Sequence, residues 1–232
     1  MGVVVLMLAA LGCWTNSSPS LPNLAVVEPS LTEQIADVAA NDSDSIHIVS
    51  AVVTDEDAAA IAKLTILRVL LIEDSQLTAA GVERLSQLPA LEHLRLRGRP
   101  LDDAALAAVA NLKTLRVLNL PHGTFTDSGV QQLAALPKLV QLRLGSRQLT
   151  DQSLAAMQQF PALVRIHLLE APITDRGLQA VAANKRLESL YLDQSLITEA
   201  GLRKLFAALP ELHVHVNQKH ADFDPQAKDH KH

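Results

Sequence analysis

The sequence predicts an α/β solenoid, a stack of short strand-and-helix units with a parallel sheet along one side and helices along the other. Three observations predict it. A period of 24 residues runs without a gap through seven copies. Four periods contain an L-x-x-L-x-L segment, two more vary it by one Ile (Ile72 and Ile166), and its last apolar positions alternate with period two. The chain is 48% hydrophobic but only 3% aromatic, so Leu, Ala, Val and Ile must fill its core. That composition suits thin repeated layers better than one large irregular interior.

The copies begin at Val53, Leu77, Leu101, Phe125, Leu149, Ile173 and Ile197. The second column is Thr in six of the seven: Thr54, Thr78, Thr126, Thr150, Thr174 and Thr198. The third is acidic in six: Asp55, Asp103, Asp127, Asp151, Asp175 and Glu199. A hydroxyl followed by an acid suits a helix start, because the hydroxyl accepts a free backbone N–H and the charge meets the positive helix end. Apolar residues then recur at helical spacing, as in Val130, Leu133 and Leu136. Pro89, Pro137 and Pro161 follow and stop the helix. The strand closes the unit, as in Leu91, Leu94 and Leu96 or Leu139, Leu142 and Leu144. One such unit cannot bury its apolar face alone, whereas stacked neighbours make a continuous core. Helices are wider than strands, so the stack should curve, with strands on the concave side and helices on the convex side.

The repeats occupy residues 53–217, preceded by a cap at residues 31–52. Ile46 and Ile48 stand 24 residues before Leu70 and Ile72, which extends the sheet by one strand. The cap helix, Thr32 to Ala40, is off register and more polar, as a terminal unit should be. The last copy carries an additional residue ahead of its strand, His213 to Val216, which is expected to be an exposed sheet edge. Residues 218–232 read as a polar, His-rich tail without fixed structure.

At the amino end, Val3 to Leu11 is an apolar run of secretory h-region length, too short for the ~20 residues that cross a bilayer. Gly12 and Cys13 follow, so residues 1–13 read as a signal peptide. The stretch Ala10-Leu11-Gly12-Cys13 resembles a bacterial lipobox, which would make Cys13 a lipid-anchor site. Ala10 and Leu11 depart from the usual lipobox residues, and the leader has no Lys or Arg. Cys13 is nevertheless the only cysteine in the chain, which excludes a disulfide framework or a Cys-rich zinc site. Residues 14–30 are rich in Ser, Pro and Asn and read as a tether.

L-x-x-L-x-L followed by I-T-D-x-G-L resembles the leucine-rich-repeat family over Leu31 to Asn217. The subtype is similar to the helical one of bacterial envelope repeat proteins and of F-box substrate receptors. The resemblance implies a right-handed leucine-rich-repeat solenoid bent into a horseshoe arc. The Asn ladder of many members is missing, and its approximate place holds Ser75, Arg99, Gly123, Arg147, Ala171 and Ser195. How these loops satisfy their backbone groups stays open at this level.

The scaffold's function lies in what it displays. The residue between the last two apolar strand positions points out of the concave face. That column reads His47, Leu71, Arg95, Asn119, Arg143, His167, Tyr191 and His215, and flanking columns add His93, Arg97, Arg165 and Asp193. His93, Arg95, Arg97, Asn119, Arg143, Arg165, His167 and Tyr191 form the candidate partner-binding set. Arg and Tyr often dominate interface energetics. Eight strands about 4.8 Å apart would span roughly 35 Å, enough for a standard protein interface.

The expected function is therefore non-enzymatic binding of an acidic protein or polymer by an exported cell-envelope module, anchored to the membrane through Cys13. A formal charge of −5 argues against nucleic acid as partner. No cofactor and no metal site are expected. His220, Asp222, Asp224, His230 and His232 are scattered on the tail, where ordering entropy opposes metal binding. His93, His167 and Asp193 are placed on neighbouring strands, but no Ser in a strained turn accompanies them. Two alternatives are an intracellular F-box-receptor-like adaptor and an accessory part of an envelope enzyme.

Overall fold

The computed structural model describes residues 28–221 and 223–225. The leader at residues 1–13 with Cys13, the tether up to residue 27, and Asp222, His230 and His232 lie outside the described residues.

Strands and helices alternate from end to end. Helix α1 (Leu31–Ala39) precedes β1 (Ser45–Val53), followed by α2 (Asp55–Ile61), β2 (Val69–Ser75), α3 (Ala79–Leu85) and β3 (His93–Gly98). Then come α4 (Asp103–Val109), β4 (Val117–Leu120), α5 (Asp127–Gln132) with a 3-10 turn at Leu133–Ala135, and β5 (Gln141–Gly145). Helix α6 (Asp151–Met157), β6 (Arg165–Leu169), α7 (Asp175–Ala182), β7 (Ser189–Asp193), α8 (Glu199–Ala208) and β8 (His213–Val216) complete the array. All eight strands lie in one parallel sheet in chain order.

The register between neighbouring strands is the sequence period. Ile46, Leu70, Leu94, Leu118, Leu142, Ile166, Leu190 and Val214 pair in one continuous row, and every one is buried. Slipping the register by one residue would turn this row to solvent, which is why the alternation specifies it so firmly. The buried strand residues join Val82, Leu106, Val130, Leu154, Leu178 and Leu202 from the helices in one core. The helices therefore cover one face of the sheet and leave the other open.

The register also corrects one expectation. Leu190 pairs with Val214, 24 residues on, so no additional residue stands ahead of the last strand. Leu209 and Leu212 do stand one place later than their counterparts in other repeats, and both are buried. The lengthened α8 accompanies that shift, which is cancelled after Leu212, where one residue rather than two separates Leu212 from Val214.

The Thr and Asp columns do more than start helices. Thr78, Thr126, Thr150 and Thr174 each accept a backbone N–H two residues ahead at 3.2 Å, as a helix cap does. Each also donates both its backbone N–H and its hydroxyl to the Asp of the preceding repeat. Thr174 N reaches Asp151 Oδ1 at 2.8 Å and Thr174 Oγ1 reaches Asp151 Oδ2 at 2.6 Å. The same paired bonds join Thr78 to Asp55, Thr126 to Asp103, Thr150 to Asp127 and Thr198 to Asp175. A carboxylate ladder thus runs along the helix starts and takes up the Thr N–H at five joints. Ser146 assists nearby, its Oγ donating to Phe125 O at 2.8 Å and accepting from Gln148 N at 3.2 Å.

The ladder explains the Gly of I-T-D-x-G-L. A Cβ built on Gly177 would stand 2.6 Å from Asp151 Oδ1, and Gly81, Gly129 and Gly201 face Asp55, Asp103 and Asp175 more closely still. At the fifth repeat Ser153 replaces the Gly and donates to Asp127. The one joint lacking the acid loses the other two residues as well. Ala79 occupies the acid column of the second repeat, and the third repeat has Asp102 for Thr and Ala105 for Gly. There Asp102 caps its own helix instead, accepting from Ala105 N at 3.2 Å.

The carboxyl end differs from the expected solvated tail. Asn217 and Gln218 have φ of 52° and 63°, and the chain reverses through them into an antiparallel bridge between Val216 and Lys219. Positive φ at both central residues is the signature of a tight hairpin turn. Strand β8 is therefore partly covered rather than an open edge. Phe223 meets Phe206 edge-on with centroids 6.0 Å apart, and Arg203 lies 3.9 Å over the Phe223 ring.

Candidate functional site

The open face of the sheet carries the display column in the order read from the sequence. His47, Leu71, Arg95, Asn119, Arg143, His167, Tyr191 and His215 are mutual register partners across the eight strands. Each alternates with the buried row, so period-two geometry turns it away from the helices. His93 and Arg97 flank Arg95 on β3, and Arg165 flanks His167 on β6. His93 is separated from β6 by β4 and β5, so it is no neighbour of His167 or Asp193.

The face is less uniformly basic than the sequence suggested, because two glutamates answer its arginines. The Glu73 carboxylate on β2 pairs with Arg95 Nη2 at 3.1 Å and with Arg97 Nη1 at 3.0 Å. Glu188, just ahead of β7, pairs with Arg165 Nη2 at 2.9 Å. Sequence reasoning missed both, although a signal existed: Glu73 occupies the column of Arg97 one repeat earlier. On β6 and β7, His167 Nε2 lies 2.9 Å from Asp193 Oδ2, with both side chains mostly covered. Burial pulls the His167 pKa below its ordinary value. Asp193 opposes that through its hydrogen bond, and the Arg143 charge reinforces it. His93 is lowered as well, by burial first and then by Arg95.

Arg143 stands apart. Among the described residues no carboxylate lies within ion-pair distance of it. Burial and then the guanidinia of Arg95 and Arg97 press its pKa downward, with only Asp193 pulling the other way. Its Nε is buried without a hydrogen-bond partner among the described residues, as are Arg95 Nε and Asn119 Oδ1. Arg95, Asn119 and Arg143 are consecutive register partners on β3, β4 and β5. Buried polar groups left unpaired are costly and uncommon in native proteins. Two guanidinia and one side-chain amide thus stand side by side on the open face of the sheet.

Tyr191 continues this strip. Its ring stacks on His215 at 4.7 Å and lies 5.4 Å from His167. The strip thus runs from paired and unpaired arginines at its centre to an aromatic cluster at its carboxyl end. Among the described residues no helix is long and apolar enough to cross a membrane. Compared with protein-family models and with curated proteins, the sequence matches none.

Proposed function

We propose that the protein is a leucine-rich-repeat solenoid, right-handed and bent into a horseshoe arc, that binds an acidic protein or polymer on its concave face and catalyses no reaction. The handedness follows the general rule for strand–helix–strand crossovers between parallel strands. The curvature follows from helices that need more room per repeat than strands about 4.8 Å apart. The observation that carries the functional reading is Arg143, a half-buried cation without an anionic partner among the described residues, beside unsatisfied polar atoms of Arg95 and Asn119. A carboxylate of an acidic peptide would supply the counter-charge that Arg143 lacks among the described residues, accepting hydrogen bonds from its guanidinium. Arg165, His167 and Tyr191 extend the contact, while His93 and Arg97 border it. The apolar leader and Cys13 support export to the cell envelope and anchoring by a lipid.

The test is binding of fluorescent poly-L-glutamate, and of an acidic peptide, to the chain from residue 14 onward. Arg95→Ala, Arg143→Ala and His167→Ala combined should weaken binding at least tenfold with unchanged circular dichroism. Equal binding by parent and triple variant, or none by the parent, overturns the reading. Mass spectrometry of the native amino terminus tests export separately, and a product beginning at Met1 would reject it.

A further inference from the structure

The carboxyl end of the sheet gathers three imidazoles that the proposed binding surface does not require. His213 and His215 are two apart on β8, so both side chains stand on one face of the strand. The Asn217–Gln218 reversal then folds the chain back, and Gln194 N anchors it by donating to Asn217 Oδ1 at 2.8 Å. This brings His220 over the same spot. The ring centroids lie 4.6 Å apart for His213 and His215, 4.1 Å for His215 and His220, and 4.9 Å for His213 and His220. One ring nitrogen from each of the three falls within 4.8 Å of the others.

We propose that His213, His215 and His220 bind a divalent transition-metal ion, with Zn2+ the best fit to an all-imidazole set. Asp224, its side chain fully buried, lies 2.7 Å from His220 Nδ1. A carboxylate there accepts a hydrogen bond from Nδ1–H, which fixes the tautomer that presents the Nε2 lone pair to a metal, the arrangement that orients ligating histidines generally. Tyr191 stacked on His215 steadies a second ring. Zinc binds imidazole nitrogen at about 2.0–2.1 Å in tetrahedral geometry, which places ligand nitrogens roughly 3.4 Å apart. Binding would require side-chain rotation to draw the nitrogens, now within 4.8 Å of one another, to that spacing. Three protein ligands leave a fourth position for water or for a donor from a bound partner. The ion would tie the returning segment to β8 and close the end of the stack. The sequence concealed the site because His213 and His215 read as edge strand and His220 as tail.

The experiment is calorimetric titration of ZnCl2 into the untagged, chelator-stripped full chain at pH 7.5. One ion should bind per chain, and thermal unfolding should move up by several degrees. His215→Ala and His220→Ala should each weaken binding at least tenfold, and Asp224→Asn about tenfold. His230→Ala with His232→Ala should leave it unchanged. Should His220→Ala fail to fold, His220→Gln carries the same expectation. Absence of saturable binding, parent-like affinity in the His215 and His220 variants, or dependence on His230 and His232 overturns the proposal.

Discussion

Gly177→Ala isolates the carboxylate ladder. On an exposed helix, replacing Gly by Ala stabilises by about 1 kcal/mol, because alanine loses less backbone freedom on folding. At Gly177 the new methyl would stand 2.6 Å from Asp151 Oδ1 and 2.9 Å from Ile173 Cγ2. The carboxylate has to retreat, and it is held there by the N–H and hydroxyl of Thr174 at 2.8 and 2.6 Å. Hydrogen bonds to a charged acceptor contribute roughly 1.5–3 kcal/mol each. Losing most of the two, offset by the helix gain, leaves a net loss of about 2–3 kcal/mol. For a domain of this size that lowers Tm by about 4–12 °C. The companion variant is Asp151→Ala with Gly177→Ala, which copies the natural Ala79 and Ala105 joint. With no carboxylate to displace, only the contact with Ile173 Cγ2 still opposes the helix advantage of the alanine at 177, so the two changes should be strongly non-additive in a double-mutant cycle. Thermal unfolding of the four proteins measures this. A Gly177→Ala variant as stable as the parent, or changes that simply add, would refute the ladder as the reason for glycine.

Acidification should weaken the fold in two stages. His93 and His167 are held below their ordinary pKa, so their contribution is complete above about pH 6.5 and fades as pH falls through their folded values. For Asp55 and Asp127 burial pushes upward, but the hydrogen bonds from Thr78, and from Ser153 and Thr150, outweigh it. Asp175 is lowered chiefly by Thr198, so a second loss begins below about pH 4. A Tm that stays level from pH 7 to pH 3 would contradict both stages. Leu142→Ala removes the centre of the buried row and should cost about 3–4 kcal/mol, read as a fall in the urea midpoint. Glu73→Gln releases Arg95 and Arg97 and should tighten poly-L-glutamate binding several-fold with a steeper salt dependence; unchanged affinity would show that these arginines do not meet the polymer.

The parts legible in the sequence were those governed by periodicity. The row from Ile46 to Val214 and the display column from His47 to His215 both followed from a period of two nested in a period of 24. What the sequence withheld depended on which side chains meet across repeats. Thr and Asp at successive positions read as a helix cap, and only their spacing along the stack shows that each Thr serves the Asp one repeat back. The arginines read as a basic patch because the column pairs Glu73 with Arg97 alone, and side-chain length decides that it reaches Arg95 as well. His220 and Asp224 read as tail because the reversal at Asn217 and Gln218 rests on left-handed backbone at residues other than glycine, which composition scarcely signals.

The joint between the second and third repeats has a mechanical consequence. A linear array holds together through its neighbour-to-neighbour seams, and its weakest seam decides where it parts. Between Ala79 and Asp102 the strands and apolar layers continue, but the carboxylate tie found at the five other junctions between the repeats is absent. Under heat or tension that joint therefore resists through strand pairing and apolar packing alone, where its fellows also have a polar clasp.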